Sequence, residues 1–90
     1  MSKARKYTLY IKRSAERELN VLPKTVFDRV VKAILALRGS PRPRNAKKLR
    51  GSDGCRIRIG DYRVLYTVDD DARRIDVVAV GHRRDVYCGI

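Results

Sequence analysis

Arg56, Arg58 and Arg63 flank a Gly60-Asp61 dipeptide. Gly-Asp between two runs rich in apolar and β-branched residues predicts a two-residue hairpin turn. That turn sets Ile59 opposite Tyr62, Arg58 opposite Arg63, Ile57 opposite Val64 and Cys55 opposite Tyr66. The apolar pairs then share the face that packs on the rest of the domain, and Arg56, Arg58, Arg63 and Leu65 share the other, open face. Like charges directly opposite one another are destabilising unless something neutralises them. Guanidinium forks bind two oxygens in parallel, so a phosphodiester is the anion that suits them. A solvated basic face that protects the sheet edge is the competing reading; the facing pair and the charge of the whole chain favour an anion site.

A second group lies further on, in Gly81-His82-Arg83-Arg84-Asp85-Val86-Tyr87. Gly81 is expected to end a strand by taking positive φ, so that Arg83 and Tyr87 fold toward the arginine face. An exposed Tyr among arginines could stack on a base or move a proton with its pKa lowered by the cations; it could equally anchor the chain through its ring. His82 could titrate near neutral pH and is a possible acid or base. The carboxylates are dispersed, which disfavours a paired-carboxylate or metal-dependent nuclease. Cys55, Cys88 and His82 lack metal-site spacing, and both cysteines read as reduced thiols. No metal and no cofactor is expected. An arginine site of this kind suits RNA cleavage, in which the 2′-OH attacks its own phosphate while the protein aligns it and stabilises the developing charge.

Composition agrees. Twenty-two Lys and Arg against ten Asp and Glu give 90 residues a formal charge of +12. That calls for a polyanionic partner such as nucleic acid, the ribosome or an acidic protein. A hydrophobic fraction of 43% is too high for a disordered polycation. Eight of the basic residues, against two acidic ones, fall between Arg42 and Arg63; Arg42, Arg44, Lys47, Lys48 and Arg50 are candidate contacts to RNA or the ribosome. Tyr7 to Ile11 is too short for the apolar core of a signal peptide, and no run approaches membrane-span length. A cytoplasmic location is expected.

The elements that must hold these residues follow from pattern. Tyr7 to Lys12 reads as a strand. Ser14 is a candidate N-cap, with Glu16 and Glu18 in the helix's first turn, and Pro23 breaks that helix. From Lys24 or Thr25 a second helix carries Phe27, Val30, Val31, Ile34, Leu35 and Leu37 on one stripe; Gly39 ends it and Pro41 and Pro43 prevent resumption. Cys55 to Ile59, Tyr62 to Val68 and Arg74 to Val80 read as strands, the last two joined by a turn at Asp69–Arg73. There is no internal repeat or linker. The expectation is one α+β domain over residues 1–90, β-α-α-β-β-β, with an antiparallel sheet and a helical hairpin on one face.

In order along the chain, Tyr7-Thr8-Leu9-Tyr10-Ile11, Ala15, Leu19 to Pro23, Lys48-Leu49-Arg50-Gly51, Arg56 to Tyr66 and Val80 to Tyr87 resemble the RelE/ParE toxin superfamily of bacterial and archaeal toxin–antitoxin systems. The resemblance implies a RelE-type mRNA interferase, an endoribonuclease that cuts mRNA in the ribosomal A site without metal and inhibits translation. It places Arg63 and Arg83 on the scissile phosphate and Tyr87 on the nucleotide. Arg56 and Arg58 occupy positions that are lysine in the best-studied toxin of the family; Arg cannot give up a proton as Lys can, so any base role shifts to Tyr87 or His82. The resemblance also implies an antitoxin with an acidic or flexible segment that wraps the toxin, and contact with operator DNA through the antitoxin. Two alternatives stand: a ParE-type toxin that poisons DNA gyrase through protein contacts, and a nucleic-acid-binding module without catalysis.

Overall fold

Two helices lie against one face of a five-stranded mixed sheet, an α+β arrangement. The computed structural model describes residues 6–49 and 54–82. In chain order these form β1 (Thr8–Ile11), α1 (Arg13–Asn20), α2 (Lys24–Ala36), β2 (Lys47–Lys48), β3 (Gly54–Ile59), β4 (Tyr62–Asp69) and β5 (Arg74–His82). The sheet order is β1-β5-β4-β3-β2.

The sheet departs from the expected antiparallel one in two respects. β1 runs parallel to β5, Thr8 beside Arg74 and Ile11 beside Val77. A parallel neighbour needs a long crossover, and the helical hairpin and the three strands after it supply one. A further strand, β2, pairs Lys47 with Arg56 and Lys48 with Cys55; two lysines have little strand propensity of their own, and the pairing comes from the β3 edge.

The helices bury the sheet face predicted to be apolar. Ala15 and Leu19 of α1 and Val30, Ile34 and Leu37 of α2 and its end meet Ile57, Val64, Tyr66, Ile75, Val77 and Val80. Burying each aliphatic side chain contributes about 1.5–3 kcal/mol. Leu35, expected on the same stripe, is instead exposed. Ser14 does not cap α1: the N-cap is Lys12, with no side-chain bond, and only Glu16 lies in the first turn. Glu18 has a different task. Its carboxylate accepts the backbone N–H of Val80 at 2.9 Å, beyond the point where β1 has ended. α1 thereby covers a stretch of β5 edge that would otherwise offer an unpaired donor.

The proline-containing connector between α2 and β2 is pinned to the sheet. The buried Tyr66 hydroxyl donates to the Pro41 carbonyl at 2.7 Å, and burial raises its pKa well above the usual tyrosine value. Asn45 donates to the Arg58 carbonyl at 3.5 Å. Tyr7 and Arg38 exchange bonds, backbone N–H to carbonyl at 3.0 Å and Arg38 Nε to the Tyr7 carbonyl at 3.3 Å. These contacts fix where Arg42, Arg44, Lys47 and Lys48 stand.

Candidate active site

The β3–β4 hairpin has the predicted register: Ile59 opposite Tyr62, Arg58 opposite Arg63, Ile57 opposite Val64 and Cys55 opposite Tyr66. Gly60 takes φ +61° and Asp61 stays out of the positive region, the pattern of a type II′ turn, which matches the twist of paired strands. The turn also serves a helix. A Cβ on Gly60 would sit 3.8 Å from both terminal nitrogens of Arg29, so the α2 guanidinium lies across the turn. Sequence reading did not single out Arg29; a lone cation in a helix carries no local signal of what it folds against.

Arg58 and Arg63 are therefore direct neighbours on the helix-free face, and directly opposed Cβ atoms stand about 5 Å apart. On its other side Arg63 pairs with Gly81 of β5, which has no side chain. Arg58 is exposed and Arg56 half-buried, but Arg63 is only 7% exposed and Leu65 only 5%. The face is thus not open throughout, and Arg63 is the one buried charged residue among the described residues. Taking a guanidinium out of water is costly, and a cation held there acts on a nearby anion through a lower effective dielectric than a surface one.

Gly81 does not end the strand. β5 continues through it to His82, which pairs with Tyr62. Tyr62 alternates onto the helix side, so His82 stands on the opposite sheet face from Arg63. The His82 and Tyr62 rings meet edge to face, 5.6 Å between centroids at 79°. The structure does not bring His82 together with the arginines. Arg50, Arg83 and Tyr87 lie outside the described residues, as does Cys88; Cys55 is a buried free thiol.

The other predicted basic contacts divide. Arg44, Lys47 and Lys48 are exposed. Arg42 is committed to Asp70, with Nη1 at 3.1 Å and Nη2 at 3.0 Å from its two carboxylate oxygens. The Tyr7 hydroxyl donates to the same carboxylate at 2.6 Å. The Arg42 and Tyr7 hydrogen bonds hold the Asp70 carboxyl below its ordinary range, and the same carboxylate raises the Tyr7 hydroxyl and the Arg42 guanidinium. Arg74 is likewise bound to Asp76, at 3.0 Å, while its guanidinium covers the Tyr10 ring at 4.0 Å.

A small mixed sheet under a helical hairpin is the architecture of RelE toxins, and with it the fold defines the RelE/ParE class. The chain belongs to it: residues 3–87 match the family of ParE toxins of the parDE type II toxin–antitoxin system. It is 31% identical to toxin RelG of Mycobacterium tuberculosis over 83 residues, 90% of this chain and 95% of that one. A RelBE toxin–antitoxin complex from the same organism has a TM-score of 0.77 at 32% identity, covering 87% of this chain and 99% of the other. An E. coli RelE variant bound to a peptide of its antitoxin RelB has a TM-score of 0.74 at 31% identity, covering 92% of each. This chain is accordingly a type II toxin of the RelE/ParE superfamily. Among the described residues no helix is long and apolar enough to cross a membrane.

Proposed function

We propose that this toxin is a ribosome-dependent endoribonuclease that cleaves mRNA in the A site and so inhibits translation. The observation that carries the reading is the Arg58–Arg63 pair, with Arg63 buried in the centre of the sheet. In the reaction the 2′-OH of one nucleotide attacks the adjacent phosphorus and the 5′-oxygen of the next nucleotide leaves, giving a 2′,3′-cyclic phosphate. Arg63 and Arg58, with Arg83, neutralise the charge that builds on the non-bridging oxygens; Arg56 extends the cationic face. Guanidiniums fill the part a metal cation plays elsewhere. Tyr87 serves the nucleotide by stacking or proton transfer, and takes that second role in preference to His82, whose strand register turns it to the helix side. Arg44, Lys47, Lys48 and Arg50 contact RNA or ribosome phosphates, while Arg42 contributes less because Asp70 holds it.

The ribosome supplies what a site this small cannot: an mRNA bent toward in-line geometry. An antitoxin is the inhibitory partner, as in the relatives solved as toxin–antitoxin complexes, and operator DNA is reached through it. The site of action is the cytoplasm.

Primer extension on one mRNA with purified toxin and ribosomes tests this. Cuts at codon positions that need the ribosome, persist in EDTA-tolerant conditions and vanish in Arg63→Ala and Arg83→Ala are expected. Intact mRNA with folded wild-type protein would contradict it. The match to ParE toxins favours one second reading, inhibition of DNA gyrase; inhibition of supercoiling by the wild type, unaffected by Arg63→Ala, would identify that activity.

A further inference from the structure

Cleavage as proposed draws on Arg56, Arg58 and Arg63 and gives no task to Arg29, which stands at the same end of the sheet. Arg29 is exposed on α2. Both of its terminal nitrogens lie 3.8 Å from where a Cβ on Gly60 would be, so the guanidinium reaches from its helix to the tip of the β3–β4 hairpin. With only two residues in the turn, the hairpin ends level with Arg29 instead of extending past it. Gly60 is two residues from Arg58, about 6–7 Å along an extended chain. That is on the order of the separation between successive phosphates of an RNA strand.

Arg29 also differs from the arginines that hold the fold together. Arg42 and Arg74 each have a carboxylate at 3.0 Å. Beside Arg29, Asp28 is paired with Lys24 at 3.5 Å. Among the described residues no carboxylate, Asp61 of the turn included, comes within ion-pair distance of Arg29. A guanidinium fork left in this position, next to two like charges, gains from an incoming phosphate both paired hydrogen bonds and relief of repulsion.

We infer that Arg29 holds a phosphate of the substrate RNA that flanks the scissile one, so that the strand crosses the hairpin tip and α2 helps to set its register on Arg58 and Arg63. The inference rests on the reading that the toxin cleaves mRNA. An RNA phosphate is favoured over an acidic protein side chain because the tip is continuous with the arginine face, and one strand can fill both. Such a contact is the same before and during reaction, so it strengthens binding and leaves the chemical step alone.

The test is single-turnover cleavage of a synthetic mRNA on ribosomes, followed at increasing toxin concentration for wild type, Arg29→Gln, Arg29→Lys and Lys24→Gln, with thermal melts beside it. Two further mRNAs carry a neutral methylphosphonate at the phosphate on one side or the other of the cleaved one. Arg29→Gln is expected to raise the half-saturating toxin concentration about tenfold and to keep the wild-type rate at saturation. Arg29→Lys should recover part of the loss, and Lys24→Gln, which removes a charge from the same helix, should behave as wild type. One of the two methylphosphonates should weaken the wild type by a similar factor and weaken Arg29→Gln no further. A lower saturating rate and a lower melting temperature in Arg29→Gln, without rescue by Lys, would make Arg29 a strut of the turn and overturn the inference. An unchanged half-saturating concentration in Arg29→Gln, a wild type indifferent to both methylphosphonates, or losses that add in full would overturn it too, and each leaves the cleavage reading standing. Folded wild type that cuts no mRNA removes the cleavage reading and this inference together.

Discussion

The two ends of the sheet use the same residue type in opposite ways. At the β4–β5 end each of two arginines has its own carboxylate, Arg42 on Asp70 and Arg74 on Asp76, and the charges cancel locally. At the β3–β4 end Arg58 faces Arg63 and Arg29 lies over the turn, with like charges gathered together. An arginine next to its own carboxylate gains little from an incoming anion, because the anion must compete with a partner already in place. Arginines that face each other gain from the same anion the relief of their repulsion. Sequence composition treats all of these as one basic surplus, and only their placement separates the structural arginines from those suited to phosphate.

Substitutions at the two ends should have unequal effects. The largest effect is expected at Arg63: replacement by Ala should lower the single-turnover rate of ribosome-dependent cleavage about 100-fold or more, the scale seen when one preorganised charge-stabilising donor is removed. Arg63→Lys should recover only part of it, because a point charge lacks the fork. Arg58→Ala should cost about tenfold, as an exposed cation acts through a higher dielectric. A larger loss in Arg58→Ala than in Arg63→Ala would reverse the assignment of the stronger electrostatic role to the buried arginine.

Next in size come stability effects that separate the scaffold from the chemistry. Tyr66→Phe leaves the Pro41 carbonyl without its donor and should lower unfolding stability by about 1–2 kcal/mol, read from urea denaturation, with the connector as the first region to lose hydrogen-exchange protection. Gly60→Ala places a side chain at φ +61° and should cost about 1 kcal/mol; it also brings a methyl against Arg29. The smallest effect is expected at Asp70, which is exposed. Its folded pKa is lowered, so its stabilising contribution is present above the unfolded carboxyl value of about 4 and disappears as pH falls through the folded value. Asp70→Asn should flatten the acid limb of the stability–pH curve slightly, and added salt should mimic it. An unchanged acid limb in Asp70→Asn would show that the Arg42–Asp70 pair does not hold that end together.

Much of this arrangement was legible in the residues. The Gly60-Asp61 signal with alternation on both sides was enough for the register of the whole hairpin, including the Arg58–Arg63 pair, because a two-residue turn leaves only one pairing. The apolar stripe gave Val30, Ile34 and Leu37 correctly, but Leu35 lies one residue off the axis of the buried face. The direction of β1 was not legible, since period-two alternation is the same in parallel and antiparallel strands. β2 was not legible because Lys47 and Lys48 become a strand only through β3. His82 shows a different limit. Adjacency to Arg83 suggested a shared site, but the sheet face of a residue depends on every pairing before it, and a register shift between Leu65 and Tyr66 in the β4–β5 ladder has no sequence signature here. The burial of Arg63 was not legible either, because alternation placed it on the face away from the helices, where an arginine is expected to be exposed.

A side-by-side single-turnover assay of mRNA cleavage on ribosomes with wild type, Arg63→Ala and Asp70→Asn sets the two ends of the sheet against each other. If the arginine end carries the chemistry, Arg63→Ala falls about 100-fold and Asp70→Asn stays at the wild-type rate. Equal losses in the two variants, or full activity in Arg63→Ala, would contradict it.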